Sequence, residues 1–303
     1  MSVILMHMNT NSFLGLSFVP IKLEDRAPLE SFLLRYPQTL CDYTFASLFA
    51  WRELYTRSWC MFEEHTLLLG LQIEGQRHLT KPIGKFPQEC QHLLIQEAKK
   101  LGYPLHIYGV DQQFIDEYAP FCSHFEPMHM READNYVYAA KDLASLQGRR
   151  YSKKRNLIAQ GDASYEWTVA PLVDCKRILK EIAPADLTKE LQQELKALES
   201  MCHHLANLSP SGIQIRIEDK PVAFSIYDHL NPDTAVIYFE KAEKQYKGLH
   251  QLINRETAKR ILQNGYKYIN REDDLGHQGL RQAKLSYHPS QMIKCFRLTY
   301  AST

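Results

Sequence analysis

Hydrophobic and polar positions along the chain follow two periods. TLLLGLQI (66–73), LHIYGV (105–110), AVIYFEKA (235–242) and KYIN (267–270) are short apolar runs of strand length. Between them lie two stretches of helical period, PQECQHLLIQEAKKLGY (87–103) and LHQLINRETAKRILQNGY (249–266). The first carries a clear apolar stripe, Cys90, Leu93, Leu94, Ala98 and Leu101; the second is less regular, with Leu249, Leu252, Ile253, Ile261 and Leu262. Each helix is expected to end at a Gly-Tyr pair, Gly102-Tyr103 or Gly265-Tyr266, where glycine supplies a left-handed cap and a strand follows. The order strand, loop, helix, strand thus occurs twice, with KPIGKFP (81–87) and EKQYKG (243–248) as the loops. It suggests two tandem units.

The remaining pattern fits that division. Helices are expected over Asp25–Tyr36 and Thr44–Tyr55, over Leu143–Gln160 with a break at Gly148, and over Asp174–Ile182 and Asp186–Leu205. SYEWTVAPL (164–172) alternates like a strand, and residues 212–242 read as three antiparallel strands turning at Glu218–Pro221 and Asn231–Asp233. MIKCFRLTY (292–300) reads as a closing strand. Helices before a meander, then a parallel step and an antiparallel return, describe an α/β fold with a mixed sheet.

Composition narrows the class. A chain of 303 residues with 45% hydrophobic and 23% charged residues is globular and long enough for two domains. A formal net charge of +1 gives no global attraction to nucleic acid or anionic membrane, so such a partner would need a local patch. The seven cysteines (41, 60, 90, 122, 175, 202, 295) are scattered and form no C-x-x-C, which speaks against a disulfide framework or a cysteine zinc site and suits a reducing cytoplasm. MSVILMHMNTNS at the start lacks the basic region and cleavage site of a signal peptide, and no apolar run is long enough to span a bilayer. Neither His203-His204 nor His124 with His129 has a ligand spacing, so no metal is expected.

Three segments carry candidate chemistry. In the turn Gln245-Tyr246-Lys247-Gly248, a glycine at a helix start brings backbone N–H groups and the positive end of the helix dipole toward an anion such as a pyrophosphate. GRRYSKKRN (148–156) gathers Arg149, Arg150, Lys153, Lys154 and Arg155; on a helix the i,i+4 pairs of like charge need an anion nearby, either a phosphate ligand or neighbouring carboxylates. NREDDLGHQGLRQAKLSYHP (270–289) places Asp273 and Asp274 before a helix beginning near His277, and Arg281 and Lys284 on one face of it. That segment reads either as a capped helix with an internal salt bridge or as a bipolar cradle for an acyl or amino-bearing substrate. Asp274, Arg281 and Lys284 are its candidate substrate contacts, together with Arg149, Arg150, Lys153 and Lys154 of the basic run.

LQGRRYSKKRN (146–156), KPVAFSIYD (220–228), YFEKAEKQYKGLHQLINRETA (238–258) and INREDDLGHQGLRQAKLSYHP (269–289) occur in the order found in the C-terminal domain of phosphatidylglycerol lysyltransferases. The chain resembles that domain and its soluble, uncharacterised relatives within the GNAT (Gcn5-related N-acetyltransferase) superfamily, over about Leu143 to Tyr300. The resemblance implies tandem GNAT-like folds: a degenerate domain at 1–142 and a domain at 143–303 carrying the motifs. It also implies acyl or aminoacyl transfer, from an acyl-CoA or an aminoacyl-tRNA, to an amine or hydroxyl. Gln245 and Gly248 match two anchors of the superfamily's pyrophosphate turn, while His250 replaces its last small residue. Such transfer needs a base, an oxyanion donor and a proton for the leaving group; the candidates are Glu240 and Asp273 as base and Tyr287 as acid. Each also has a structural reading, as ion-pair partner, cap or packing residue. A non-catalytic ligand-binding or scaffold module that keeps the fold is the alternative.

Overall fold

The computed structural model describes residues 12–173, Cys175 and residues 189–300. The opening MSVILMHMNT and, apart from Cys175, the helix expected over Asp174–Ile182 lie outside the described residues. The chain divides into two compact units that interleave in sequence. One comprises Met1–Phe32, Trp51–His129 and Phe296–Thr303; the other comprises Leu33–Ala50 and Met130–Cys295.

The first unit is built on a mixed sheet ordered Val19–Pro20, Ser58–Phe62, Thr66–Ile73, Gln76–Thr80, Leu105–Val110, Phe296–Tyr300, Glu126–His129, with Ile83–Gly84 beside Thr66–Ile73. Its one parallel pair among the described residues joins Gln76–Thr80 to Leu105–Val110. The helix between them, Gln88–Ala98, buries Cys90, Leu94, Ile95 and Ala98 against Leu68, Leu79, Leu105, Ile107 and Leu298. Each leucine buried this way stabilises the unit by roughly 1.5–3 kcal/mol. The apolar run 66–73 is a strand, but its hairpin partner QRHLT (76–80) is the strand that enters the parallel step. Of its five residues only Leu79 is aliphatic and only Thr80 is β-branched, so the pattern did not reveal it. The helix stops at Ala98, before the expected Gly102.

The second unit holds a seven-stranded sheet ordered Trp167–Pro171, Ser211–Ile217, Lys220–Asn231, Thr234–Ala242, Tyr268–Asn270, Asn135–Ala139, Gln291–Ile293. The three strands of the expected meander are antiparallel. Thr234–Ala242 then runs parallel to Tyr268–Asn270 across the helix Leu249–Gln263. That helix does end as expected. Gly265 has φ +92°, its N–H donates to the Leu262 carbonyl, and the Tyr266 N–H donates to that of Ile261. Leu249, Leu252, Ile253, Ala258 and Ile261 face Ala223, Tyr227, Ala235 and Ile237 in the core, whereas Leu262 is exposed. The fold is therefore α/β with mixed sheets.

Three expectations are corrected. MIKCFRLTY is not one strand: Gln291–Ile293 belongs to the second unit's sheet and Phe296–Tyr300 to the first's. The break falls at Cys295, whose N–H donates to Asp134 Oδ1 at 3.0 Å and whose carbonyl accepts from Met130 N–H. The basic run does not lie on one helix. Arg149–Tyr151 is a 3-10 turn and the α-helix begins at Ser152, so the pairs Arg149/Lys153 and Arg150/Lys154 are not stacked along one α-helical face. Finally, Cys175 and Cys202 form a disulfide, while Cys41, Cys60, Cys90, Cys122 and Cys295 are free.

Candidate functional site

The parallel pair in the second unit is short. Its register runs Thr234–Tyr268, Ala235–Ile269, Val236–Asn270, and Ile237–Ala242 continues without that neighbour. Beyond Val236 and Asn270 the ladder between the two strands stops, a gap in the pairing at their carboxyl ends. A bulge opposite Ile226/Tyr227 sets what faces it. Ile237 pairs with Tyr227 and Phe239 with Ile226, so Tyr238 is the extra residue and the alternation flips after it. Tyr238 turns to the other face, where its hydroxyl donates to Thr44 Oγ1 at 2.6 Å. Glu240 thereby joins the face covered by the helix Leu249–Gln263, where Asn254 Nδ2 lies 3.4 Å from Glu240 Oε2.

The residue after the other strand completes the pair. Arg271 Nη2 donates to Glu240 Oε1 at 2.9 Å, with side-chain exposures of 15% and 11%. Burial works against the Arg271 charge, but the Glu240 carboxylate and the phenols of Tyr138 and Tyr287 more than offset it, and its pKa stands above the ordinary value. Arg271 lies 5.2 Å from the Tyr287 ring centroid, and Lys154 Nζ lies over the same ring at 4.1 Å. Burial pushes the Tyr287 phenol up to about 12, against the pull of Arg271, so it is protonated at neutral pH. Lys154 is pushed down by burial and by Arg271, and donates to Ser286 Oγ at 2.7 Å. Glu240, Tyr287 and Lys154, far apart in the sequence, are thus brought to one place by Arg271, which sequence reasoning did not single out.

The segment after Asn270 splits into two groups. Asp274, fully buried, accepts from Arg281 Nε and Nη2 at 2.9 Å each, from Tyr136 Oη at 2.6 Å, from Arg131 at 3.2 Å and from Gly276 N–H at 2.9 Å. Burial alone would raise its pKa, yet these donors bring it down to about 2. Asp274 and Arg281 form a closed anchor. The helix Gln278–Leu285 has His277 at its N-cap position with no side-chain cap, so neither aspartate caps it.

Lys284 is buried, and its ammonium donates to the carbonyls of Arg271, at 2.6 Å, and Asp273. Burial lowers its pKa, partly offset by Asp273 and Glu272. Asp273 is pushed up to about 7, by burial first and then by Asp42 and Asp274, against the pull of Lys284. Burial and Asp273 also raise Glu272 well above the carboxylate range. Asp42 and Cys41 come from Leu33–Ala50 and lie between the two helices expected over Asp25–Tyr36 and Thr44–Tyr55. Asn135 fastens that stretch, because its Oδ1 accepts both from Cys41 N–H and from Asn270 Nδ2, each at 2.8 Å.

The two remaining candidates, the turn and the basic run, meet. A Cβ on Gly248, at φ +81°, would lie 2.2 Å from the Leu157 carbonyl, and one on Gly161 would lie 2.5 Å from that of Lys247. Two glycines let the helix Ser152–Asp162 press against the Lys247-Gly248 turn. Gln245 donates to Glu243 Oε2 at 2.6 Å, and Tyr246 packs edge-on against Tyr165. Within the basic run, Arg150 pairs with Asp142 at 2.6 Å and Arg155 donates to the Leu146 and Gly148 carbonyls. Arg149, Lys153, Lys247 and His250 are exposed on this side of the unit. Among the described residues no group of three or more His, Cys, Asp or Glu is placed to hold a metal, and no helix is long and apolar enough to cross a membrane.

The family described as phosphatidylglycerol lysyltransferase, C-terminal, matches residues 34–299. The chain belongs to that family. A conserved protein of unknown function from Bacteroides thetaiotaomicron is similar in structure, with 28% identity and a TM-score of 0.86 over 94% of this chain and 99% of that one. The C-terminal domain of a putative lysylphosphatidylglycerol synthetase from Agrobacterium fabrum shares the fold at 13% identity, with a TM-score of 0.62 over 92% of each chain. A tandem GNAT protein from the clavulanic acid biosynthesis pathway shares it at 8% identity, with a TM-score of 0.50 over 95% of this chain and 99% of that one. The fold is that of the phosphatidylglycerol lysyltransferase C-terminal domain and of GNAT-like proteins.

Proposed function

We propose that the protein moves an acyl or aminoacyl group from a carrier, an acyl-CoA thioester or an aminoacyl-tRNA ester, to an amine or hydroxyl acceptor. Each unit is a GNAT-like fold, and the second carries the site. The observation that carries this reading is the gap beyond Val236 and Asn270, with Glu240 and Arg271 set in it. Glu240 takes the proton of the acceptor N–H or O–H as the acceptor attacks the carbonyl. The Arg271 guanidinium faces the oxyanion that forms, and the Tyr287 phenol returns a proton to the departing thiolate or ribose oxygen. Asp273 and Glu272, which follow Arg271 in the chain, meet the polar end of the transferred group or acceptor, while Lys284 holds the Arg271 and Asp273 carbonyls beneath them. Asp274 and Arg281 hold the loop in place and are left out of the substrate contacts, because they are spent on each other.

The donor's phosphates meet Arg149, Lys153 and Lys247 beside the Gln245–Gly248 turn. A second reading, a ligand-binding module without catalysis, draws on that turn: Gln245 is held by Glu243, and the Cα side of Gly248 is filled by Leu157. Titrating acetyl-CoA and charged tRNA separately, at two salt concentrations, tests both. We expect one donor to bind and to label an amine or hydroxyl acceptor. If tRNA is the donor, affinity falls steeply with salt, and Arg149→Ala with Lys153→Ala lowers the slope by about 2 on a log–log plot. Binding without turnover by any acceptor supports the module, and binding of neither donor overturns the transferase reading.

A further inference from the structure

The face of the second unit's sheet under the helix Leu249–Gln263 contains three side-chain atoms that the proposed chemistry does not use. Ser225 Oγ, Asn254 Oδ1 and Thr257 Oγ1 are shut off from solvent, their residues no more than 1% exposed, and none has a hydrogen-bond partner within the protein. An orphaned buried hydroxyl or amide oxygen costs about 1–3 kcal/mol, so three in one place need an explanation. Their placement supplies one. Ser225 is the cross-strand partner of Glu240, Asn254 reaches Glu240 through its Nδ2, and Thr257 follows Asn254 by one helical turn on the same face. The helix packs on both strands that carry Ser225 and Glu240.

We infer that Asn254 is a positioning residue for Glu240, and that Ser225, Asn254 and Thr257 share one buried water that satisfies the Asn254 carbonyl. The inference rests on the proposed role of Glu240. The hydrogen bonds balance. The water donates to Asn254 Oδ1 and to one hydroxyl and accepts from the other, which accounts for each orphaned atom. Because the carboxylate can only accept, the amide has one orientation, with its N–H aimed at Glu240 Oε2 and its Oδ1 at the water. Arg271 holds the other oxygen of the carboxylate. The carboxylate is then gripped at both oxygens, through a hydrogen bond from the helix and an ion pair from the strand end. Its remaining lone pairs are fixed in direction toward the gap, as a base in a transfer reaction requires. A flipped Asn254 would set its carbonyl against the acceptor-only carboxylate, which excludes that orientation, and the water then satisfies the Oδ1 left facing the hydroxyls.

The test combines a direct observation with kinetics. In a high-resolution crystal structure we expect a water within hydrogen-bond distance of Ser225 Oγ, Asn254 Oδ1 and Thr257 Oγ1. In nitrogen-15 spectra, the Asn254 side-chain amide should shift in Ser225→Ala and in Thr257→Val. An empty or apolar site, or an amide resonance unmoved by both substitutions, overturns the inference whether or not the protein proves to be a transferase. With the donor and acceptor found above, Asn254→Leu should lower kcat about tenfold with KM nearly unchanged, and Asn254→Gln should restore part of it. A fall in KM and kcat together with a lowered Tm in every Asn254 variant would mark the residue as merely structural and also sink the proposal. If the wild type transfers nothing, the transferase reading fails by itself, while the water and the amide shift still decide the hydrogen-bond arrangement.

Discussion

In the first unit, parallel pairing ends at Thr80 and Tyr108, and the next charged residues outward, Lys81 and Asp111, form an ion pair at 2.5 Å with side-chain exposures of 8% and 9%. In the second, pairing ends at Val236 and Asn270, and the outward residues Glu240 and Arg271 pair at 2.9 Å with the charges in the opposite order. The same topological step is therefore followed in each unit by a buried ion pair beyond its last paired residues. What differs is how much of each pair is already committed. Asp111 Oδ1 also accepts from Phe114 N–H and caps the helix Gln112–Glu117, so in the first unit the pair joins strand to helix. Among the described residues Glu240 receives only a long bond from Asn254 besides Arg271, and the Tyr287 ring lies against Arg271 with Lys154 over it. A structural pair consumes its bonding capacity; a reacting one keeps some.

Substitutions at these four residues give the largest expected effects and bear directly on the contrast. Asp111→Ala should lower unfolding stability in urea by about 3–5 kcal/mol, since it strands a buried ammonium and removes a cap. Glu240→Gln also leaves a buried cation, Arg271, without its counter-charge, but keeps an acceptor of the same shape for it and removes no cap, so it should cost less stability than Asp111→Ala while lowering transfer by at least about a hundredfold. Equal stability losses at both positions, with activity following stability, would erase the distinction.

Next in size are the glycines of the second unit. Gly248→Ala combines a positive φ with a clash against the Leu157 carbonyl, and Gly265→Ala has the positive φ alone, with nothing within 4 Å. We expect the first to cost about 3 kcal/mol or more and the second about 1 kcal/mol in urea unfolding. Similar costs would mean that the helix Ser152–Asp162 does not rest on the turn.

The pH dependence gives smaller effects, of opposite sign at two adjacent aspartates. Asp274 has its folded pKa lowered to about 2, so its contribution is present above the ordinary carboxylate range and is lost as pH falls from about 4 toward 2. Asp273 has its folded pKa raised to about 7, so stability present below about 4 is lost as pH rises through 7. Asp273→Asn should therefore be more stable than wild type at pH 8 and not at pH 4, whereas Asp274→Asn should be less stable than wild type at pH 6. Denaturation midpoints across pH check both signs, and a common sign at the two positions would contradict the division of the segment into anchor and site.

The amino-acid pattern by itself determined the repeated strand–helix–strand order, the meander over 212–242, the Gly265 cap and the segments that carry chemistry. These rest on local periodicity and turn residues, which act within a few positions of the chain. It also led to Glu240, Tyr287 and Lys154 separately, because a carboxylate, a phenol and a cation are visible wherever they stand. Only the tertiary structure decided that they meet around Arg271, that a bulge at Tyr238 turns Glu240 toward them, and that Asp274 and Arg281 are spent on each other. It likewise brought Cys41 and Asp42 beside Glu272 and Asp273, and divided MIKCFRLTY between two sheets. Those outcomes depend on hydrogen-bond register and on contacts between residues 94 and 135 positions apart, such as Cys41 with Asn135 and Asn270 with Asn135, and no local period encodes such partners.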